Sequence, residues 1–218
     1  MADLDHPALD PDDRHHLERV LRLRRSEEIT VCDGQGGWRP CRLGPELEPV
    51  GQVARDPRPS PAVEVAFALV KGERPEWVVQ KLTELGADRM VPFGAARSVV
   101  RWDAERAARQ VERLRRVARE AAGQCRRTWL PAVEEVATFD QVAARPGAVL
   151  ADREGSPPWL AGGPVLVGPE GGWDDGELAL GLPRMALGPH VLRAETAAVA
   201  VGALLAALRA GLVAPRSG

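Results

Sequence analysis

Hydrophobic and polar positions follow two different rhythms along this chain, and the change falls near residue 60. Before it, apolar stretches are short and separated by turn residues. Asp12-Asp13 can cap a helix over residues 14–21. A strand over 28–32, a turn at Asp33-Gly34-Gln35-Gly36-Gly37 and a returning strand over 38–43 then read as a hairpin. Small β-barrels are built from such hairpins. Residues 55–61 carry three prolines and read as an interdomain linker. Beyond it, 63–70 is an apolar run of the kind buried on both faces of a parallel sheet. Pro75 suits the first turn of a helix, Trp77, Val78, Lys81, Leu82 and Leu85 keep helical spacing, and Gly86 suits its stop. A strand is expected over 89–92 and a long helix over 103–122. The buried face of that helix would be Ala104, Ala107, Ala108, Val111, Leu114, Ala118 and Ala121. Residues 149–150 and 165–167 read as further buried strands. Strands alternating with helices predict βαβ units and a parallel sheet.

Composition narrows the class. With 44% apolar and 28% charged residues the 218-residue chain can build a real core. The most apolar stretch, 197–208, falls short of the roughly 18 residues a membrane span requires. The first residues are acidic and contain proline, unlike a signal or transit peptide, so no membrane role and a cytoplasmic location are expected. Cys32, Cys41 and Cys125 are too few and too scattered for a disulfide framework or a zinc site, and no metal is expected. Cys32 and Cys41 could face each other across the hairpin.

The net charge of −2 is uninformative, but its distribution is not. Residues 97–127 hold ten arginines against four acids, and Arg14, Arg19, Arg22, Arg24 and Arg25 form a second basic cluster. Arg106, Arg109, Arg113 and Arg116 share one helix face. That face reads either as a stripe for an RNA backbone or as a solvated face paired through Glu105–Arg109 and Glu112–Arg116.

Two segments could carry chemistry. In Val165-Leu166-Val167-Gly168-Pro169-Glu170-Gly171-Gly172-Trp173 a buried strand runs into a glycine-rich turn, where backbone can approach a ligand closely. Its glutamate argues against a phosphate cradle and favours a ligand with polar and cationic parts, such as S-adenosylmethionine; an ordinary tight turn is the alternative. In Met185-Ala186-Leu187-Gly188-Pro189-His190-Val191-Leu192-Arg193-Ala194-Glu195-Thr196-Ala197 a short strand breaks at Gly188-Pro189 and a loop enters the last helix. Loop amides and carbonyls there could meet an adenine edge. Glu195 and Thr196 could equally be plain helix caps.

The two motifs G-P-E-G-G and L-G-x-x-V-L-R-x-E-T-A, in this order, resemble the SPOUT superfamily. Within it the chain resembles the RsmE-type enzymes, which methylate the imino nitrogen (ring position three) of a uridine in small-subunit (16S) ribosomal RNA. Other pieces agree in order: His15-His16-Leu17 with Val20-Leu21-Arg22; Lys71-Gly72 through Trp77, Gln80-Lys81 and Thr83-Glu84-Leu85-Gly86; Arg97-Ser98; and Glu120-Ala121-Ala122 with Gln124, Arg127 and Pro131. The resemblance spans about residues 14–208. It departs at His190, where the family usually has arginine, at Trp173, where it has phenylalanine, and in a shortened stretch between Pro131 and Val149.

The resemblance implies an α/β fold in two parts. Residues 1–60 would be a PUA-like RNA-binding β-barrel. Residues 62–218 would be a SPOUT methyltransferase domain with a mostly parallel sheet and a deep trefoil knot over about 165–210. It implies a homodimer, S-adenosyl-L-methionine as cofactor, and ribosomal RNA or the small ribosomal subunit as partner. The cofactor would touch Leu166, Val167, Gly168, Pro169, Gly171, Gly172, Leu187, Gly188, Val191, Leu192, Glu195, Thr196 and Ala197. RNA would meet His15, Arg19, Arg22, Arg24, Arg97, Arg101, Gln124 and Arg127. Arg127, and after it Arg193, would stabilise charge on the uracil oxygens. Glu170 would accept the proton or face the sulfonium. A non-catalytic RNA-binding ribosome assembly factor, or a SPOUT methyltransferase acting on another RNA, remains as the competing reading.

Overall fold

The computed structural model describes residues 3–72 and 74–214, with the side chain of Asp12 outside the described ones. The chain divides into two compact units. One is Met1–Arg58 together with Arg126–Leu130; the other is Pro59–Cys125 with Pro131–Gly218.

In the smaller unit α1 (Pro11–His15) runs into a π-helical turn (His16–Val20). The cap expected from Asp12 lies outside the described side chains; Asp10 Oδ1 accepts from the Asp13 amide at 2.7 Å and serves that end of the helix. Then follow β1 (Glu28–Cys32), β2 (Gly37–Arg42), β3 (Glu48–Pro49) and β4 (Ala54–Arg55). They form an antiparallel sheet in which β1 and β3 flank β2, and β4 also pairs with β2. Leu4, Val31, Cys41, Leu43 and Leu47 form its core. The hairpin register sets Cys41 opposite Ile29 and Cys32 opposite Trp38, so the two thiols do not face each other. Burial raises both thiol pKa values, which fits unreactive thiols.

Residues 126–130 join this unit through an edge bridge. Trp129 lies antiparallel to Gln35. The Gly36 amide donates to Thr128 O at 2.9 Å, and the Leu130 amide to Gly34 O at 3.0 Å. Asp56 fastens the same segment: its carboxylate accepts from Thr128 Oγ1 at 2.7 Å and its carbonyl from Trp129 Nε1 at 3.1 Å. A side chain on Gly36 would collide with the Trp129 ring at 2.6 Å, which explains glycine there.

The larger unit is an α/β domain. Its elements are β5 (Glu64–Ala68), α2 (Arg74–Leu85), β6 (Arg89–Gly94), α3 (Ala104–Gln124), β7 (Ala132–Val133), β8 (Ala137–Thr138), α4 (Phe139–Ala143), β9 (Val149–Ser156), β10 (Val165–Val167), α5 (Asp175–Leu178), β11 (Arg184–Met185) and α6 (Ala194–Arg209). The sheet runs β11-β9-β10-β5-β6-β7, with β8 also on β6, and every pairing is parallel. Alternate residues of each strand feed opposite cores. Val65, Phe67, Val165 and Val167 join Leu82, Leu114 and Val201 on one side; Ala66, Ala68 and Leu166 join Phe93, Phe139 and Trp173 on the other. The continuous apolar runs follow from burial on both faces.

Helix α3 starts at the Asp103 cap, whose carboxylate accepts from Arg106 N at 2.8 Å. Its buried face is Val111, Leu114, Ala118, Ala121 and Ala122. The expected Ala104, Ala107 and Ala108 are not buried, and the buried face begins only at Val111. At the far end of α6, Arg209 pairs with Asp88 and donates to Gly86 O at 2.8 Å, while Asp88 also accepts from Val63 N. Among the described residues no helix is long and apolar enough to cross a membrane, and no His, Cys, Asp and Glu group could hold a metal ion.

Candidate active site

In the sheet of the larger unit the chain moves from β5 outward to β6 and β7, then returns on the other side as β9, β10 and β11. The strand order therefore reverses between β5 and β10. Crevices beyond the carboxyl ends of strands at such a reversal are where open α/β sheets take ligands. The two candidate loops leave those ends: residues 168–174 follow β10, and 186–193 follow β11. Only β9 separates the two strands.

The first loop is held from below and from the side. Trp173 is buried, stacks on Phe93 (centroids 6.4 Å apart), and donates from its indole nitrogen to Ala151 O at 3.0 Å. The larger ring keeps the aromatic packing expected of that position. Gly168 is glycine because a side chain there would press on the Trp173 ring at 3.0 Å. Arg97 lies along the loop, 3.4 Å from Gly171 O and 3.5 Å from Asp174 Oδ2. Asp174 caps α5 in a capping box with Glu177, which is buried and also accepts from the Ala96 amide at 2.8 Å. Two loops of the carboxyl edge are thereby tied to each other.

The second loop enters α6 at Arg193, the N-cap residue, which offers no side-chain cap bond. Glu195 and Thr196 are therefore inside the first turn, and the cap reading does not describe them. Glu195 turns instead to Arg74, at the first position of α2. Arg74 Nη1 donates to Glu170 Oε1 at 2.8 Å and lies 3.6 Å from Glu195 Oε2. One guanidinium thus meets the first loop and the start of the helix that the second loop enters. Glu195 Oε2 is buried and has no hydrogen-bond partner among the described residues.

The expected site residues separate into groups. Leu166 and Val167 are strand core, and Leu187 packs against that core. Gly168, Pro169, Glu170, Gly171 and Gly172 form the first loop; Gly188, Leu192 and Arg193 belong to the second, and Glu195, Thr196 and Ala197 to the first turn of α6 that it enters. Val191 is 83% exposed. Arg97 and Arg101 lie on the loop after β6, Arg97 against the first loop; Gln124 ends α3, exposed. Arg127 belongs to the segment that joins the smaller unit, where it is half-buried. His15, Arg19, Arg22 and Arg24 are exposed on the smaller unit. On α3, Arg109 pairs with Glu105 and Arg113 with Glu76 at 3.1 Å, so part of the arginine stripe is neutralised. Sequence reasoning missed Arg74 and Glu177. The Asp174-x-x-Glu177 spacing is a capping-box signal that could have marked the second; only a tertiary contact marks the first.

Comparison with known proteins places the family. Residues 57–206 match the RNA methyltransferase domain family, and residues 9–46 match the RNA methyltransferase PUA domain family. The ribosomal RNA small subunit methyltransferase E of Bacillus subtilis is 33% identical, over 84% of this chain and 82% of its own. That of Mycobacterium bovis is 35% identical, over 90% and 84%. Among solved structures, ribosomal RNA small subunit methyltransferase E of Neisseria gonorrhoeae bound to S-adenosyl methionine superposes with a TM-score of 0.76 at 27% identity, covering 91% of this chain and 90% of that one. A proposed methyltransferase of Legionella pneumophila with the cofactor bound gives 0.81 at 28% identity, covering 95% of each chain. The fold is that of the SPOUT methyltransferases with a PUA domain at the N-terminus, and the chain belongs to the ribosomal RNA small subunit methyltransferase E family of RNA methyltransferases.

Proposed function

We propose that this chain transfers a methyl group from S-adenosylmethionine to the ring imino nitrogen, position three, of a uridine in 16S ribosomal RNA. The convergence on Arg74 of the loop after β10 and the first turn of α6, into which the loop after β11 runs, is the observation that carries this reading. The glycines leave room for a ligand against the backbone. A side chain built on Gly172 or Gly188 would meet nothing within 4 Å, and both have positive φ, +72° and +152°. Backbone is thus exposed to open space on both loops. A side chain on Gly171 would point instead at Arg97, 3.3 Å from its Cβ. When bound, the cofactor supplies an electrophilic methyl on a sulfonium.

The chain's own residues place and neutralise. Residues 166–172 and 187–197 would hold the adenosyl group through backbone amides and carbonyls, fixing the reacting atoms at near-attack distance. To attack the methyl group that the bound cofactor would supply, the uracil nitrogen would give up its proton to solvent or to Glu170. Arg127 and Arg193 are assigned to the negative charge that spreads onto the uracil oxygens. The exposed His15, Arg19, Arg22 and Arg24, with Arg97, Arg101 and Gln124, are assigned to the RNA backbone. We read the polypeptide as threaded through a trefoil knot over about 165–210, the domain boundary as lying near residue 60, and the working form as a cytoplasmic homodimer.

Calorimetric titration with S-adenosylmethionine tests the pocket. Wild type binds, whereas Gly172→Val and Gly188→Val lose binding; unchanged affinity in both would remove these loops from the site. No affinity in wild type would favour a non-catalytic assembly factor. Arg127→Ala is expected to keep cofactor affinity and lower turnover by about a hundredfold or more. Mass-spectrometric mapping of ribosomal RNA from cells with and without the gene identifies the base and the position; an unchanged 16S pattern would refute the substrate.

A further inference from the structure

The geometry points to Arg74 as the positioning residue that holds the two cofactor loops at their working separation. This rests on the pocket assignment above. Arg74 opens α2 just beyond the carboxyl end of β5, and β5 neighbours β10 in the sheet. From there its guanidinium reaches Glu170 on one loop and Glu195 in the first turn of α6.

These contacts do not act as a stability device. Arg74 is 39% exposed and Glu170 59%, and exposed pairs contribute little. Glu195 differs, at 14% exposed with one oxygen lacking any hydrogen bond among the described residues. A buried carboxylate in that state needs its cation, and the first turn of α6 supplies only a partial one. Without Arg74, Glu195 would swing toward water, taking the end of the second loop with it, and Glu170 would lose its tie to α2. The adenosyl pocket needs both loops at once, so its affinity would fall while the fold survived.

Position and charge make opposite forecasts, which renders the idea testable. Deleting a cation near the site would tighten binding of a sulfonium if only charge mattered. Loss of positioning weakens S-adenosylmethionine and its neutral product S-adenosylhomocysteine alike, because both present the same adenosyl group. In the full-length protein, Arg74→Ala is expected to raise the dissociation constants of both ligands by about tenfold to a hundredfold. The melting temperature without ligand should stay near wild type, and turnover at saturating cofactor within a few-fold. Arg74→Lys should recover most of the affinity. Arg74→Ala combined with Glu195→Gln should lose less than the product of the single effects, since the neutral side chain no longer needs a cation. If Arg74→Ala does not fold, Arg74→Gln carries the same test. Wild-type affinity in a folded Arg74 variant, tighter S-adenosylmethionine binding, or a loss confined to one ligand would each overturn the proposal. If Gly172→Val and Gly188→Val abolish binding while Arg74→Ala binds normally, Arg74 alone is wrong. If those glycine variants bind normally, the pocket assignment falls with it.

Discussion

Glu134 shows how far a single side chain departs from what its neighbours in sequence suggest. Burial by itself would raise the Glu134 carboxyl pKa, but hydrogen bonds from Arg145 (2.6 Å) and Arg89 (2.7 Å) outweigh it and hold the group below the usual glutamate range. A carboxyl whose folded pKa is depressed contributes stability that is complete above its unfolded value, about 4.3, and is lost as pH falls through the lower folded value. The melting temperature of Glu134→Gln should therefore lie below wild type by a constant margin from about pH 6 to pH 8, and that margin should shrink below about pH 4. An undiminished margin in acid would mean that the loss is steric. Residue roles of this kind were the least legible part of the sequence. Spacing set Glu112 against Arg116, yet Glu112 pairs with Arg115, and Arg113 finds Glu76 on another helix. Arg74 has no local signature at all, since both partners lie about a hundred residues away in the chain.

Elements were read more faithfully because periodicity is a local property. Helices α2 and α3 and strands β1, β5, β6 and β10 lie within a few residues of their expected positions, and Asp103 and Gly86 bound their helices as capping chemistry requires. The long β9 was hidden, because 151–156 is polar and bulges against β11. Local pattern also says nothing of how closely two helices meet. Gly202 of α6 faces Leu82 of α2, and a side chain built there would collide with Leu82 Cδ2. Leu82 is 0% exposed and has no route to solvent. Gly202→Val should cost about 1–3 kcal/mol from overpacking, read as a fall of roughly 2–4 °C in Tm per kcal/mol for a domain of this size. Adding Leu82→Ala should return part of the loss; additive effects would show that the helices do not meet there.

At the scale of the whole molecule, the apolar runs announced a parallel sheet. The return of residues 126–130 to the smaller unit was invisible, because it rests on Asp56, Gly36 and Gln35 meeting a segment some seventy to ninety residues later. Arg127 looked like part of the larger domain by position alone. A fragment of residues 1–60 lacks that bridging segment. It should melt well below the smaller unit of the full chain, and added peptide 124–132 should raise its melting temperature; equal stability with and without the peptide would show the segment to be dispensable.

That discontinuous unit also sets an order of events on the ribosome. Its first part is complete at residue 58, yet its last edge arrives only with residue 130. At about 5–20 residues per second, several seconds pass between the two. Throughout that interval Asp56 and the turn at Gly36 stand exposed, so the nascent N-terminal module is finished by its own downstream neighbour, after the long arginine-bearing helix has already been synthesised.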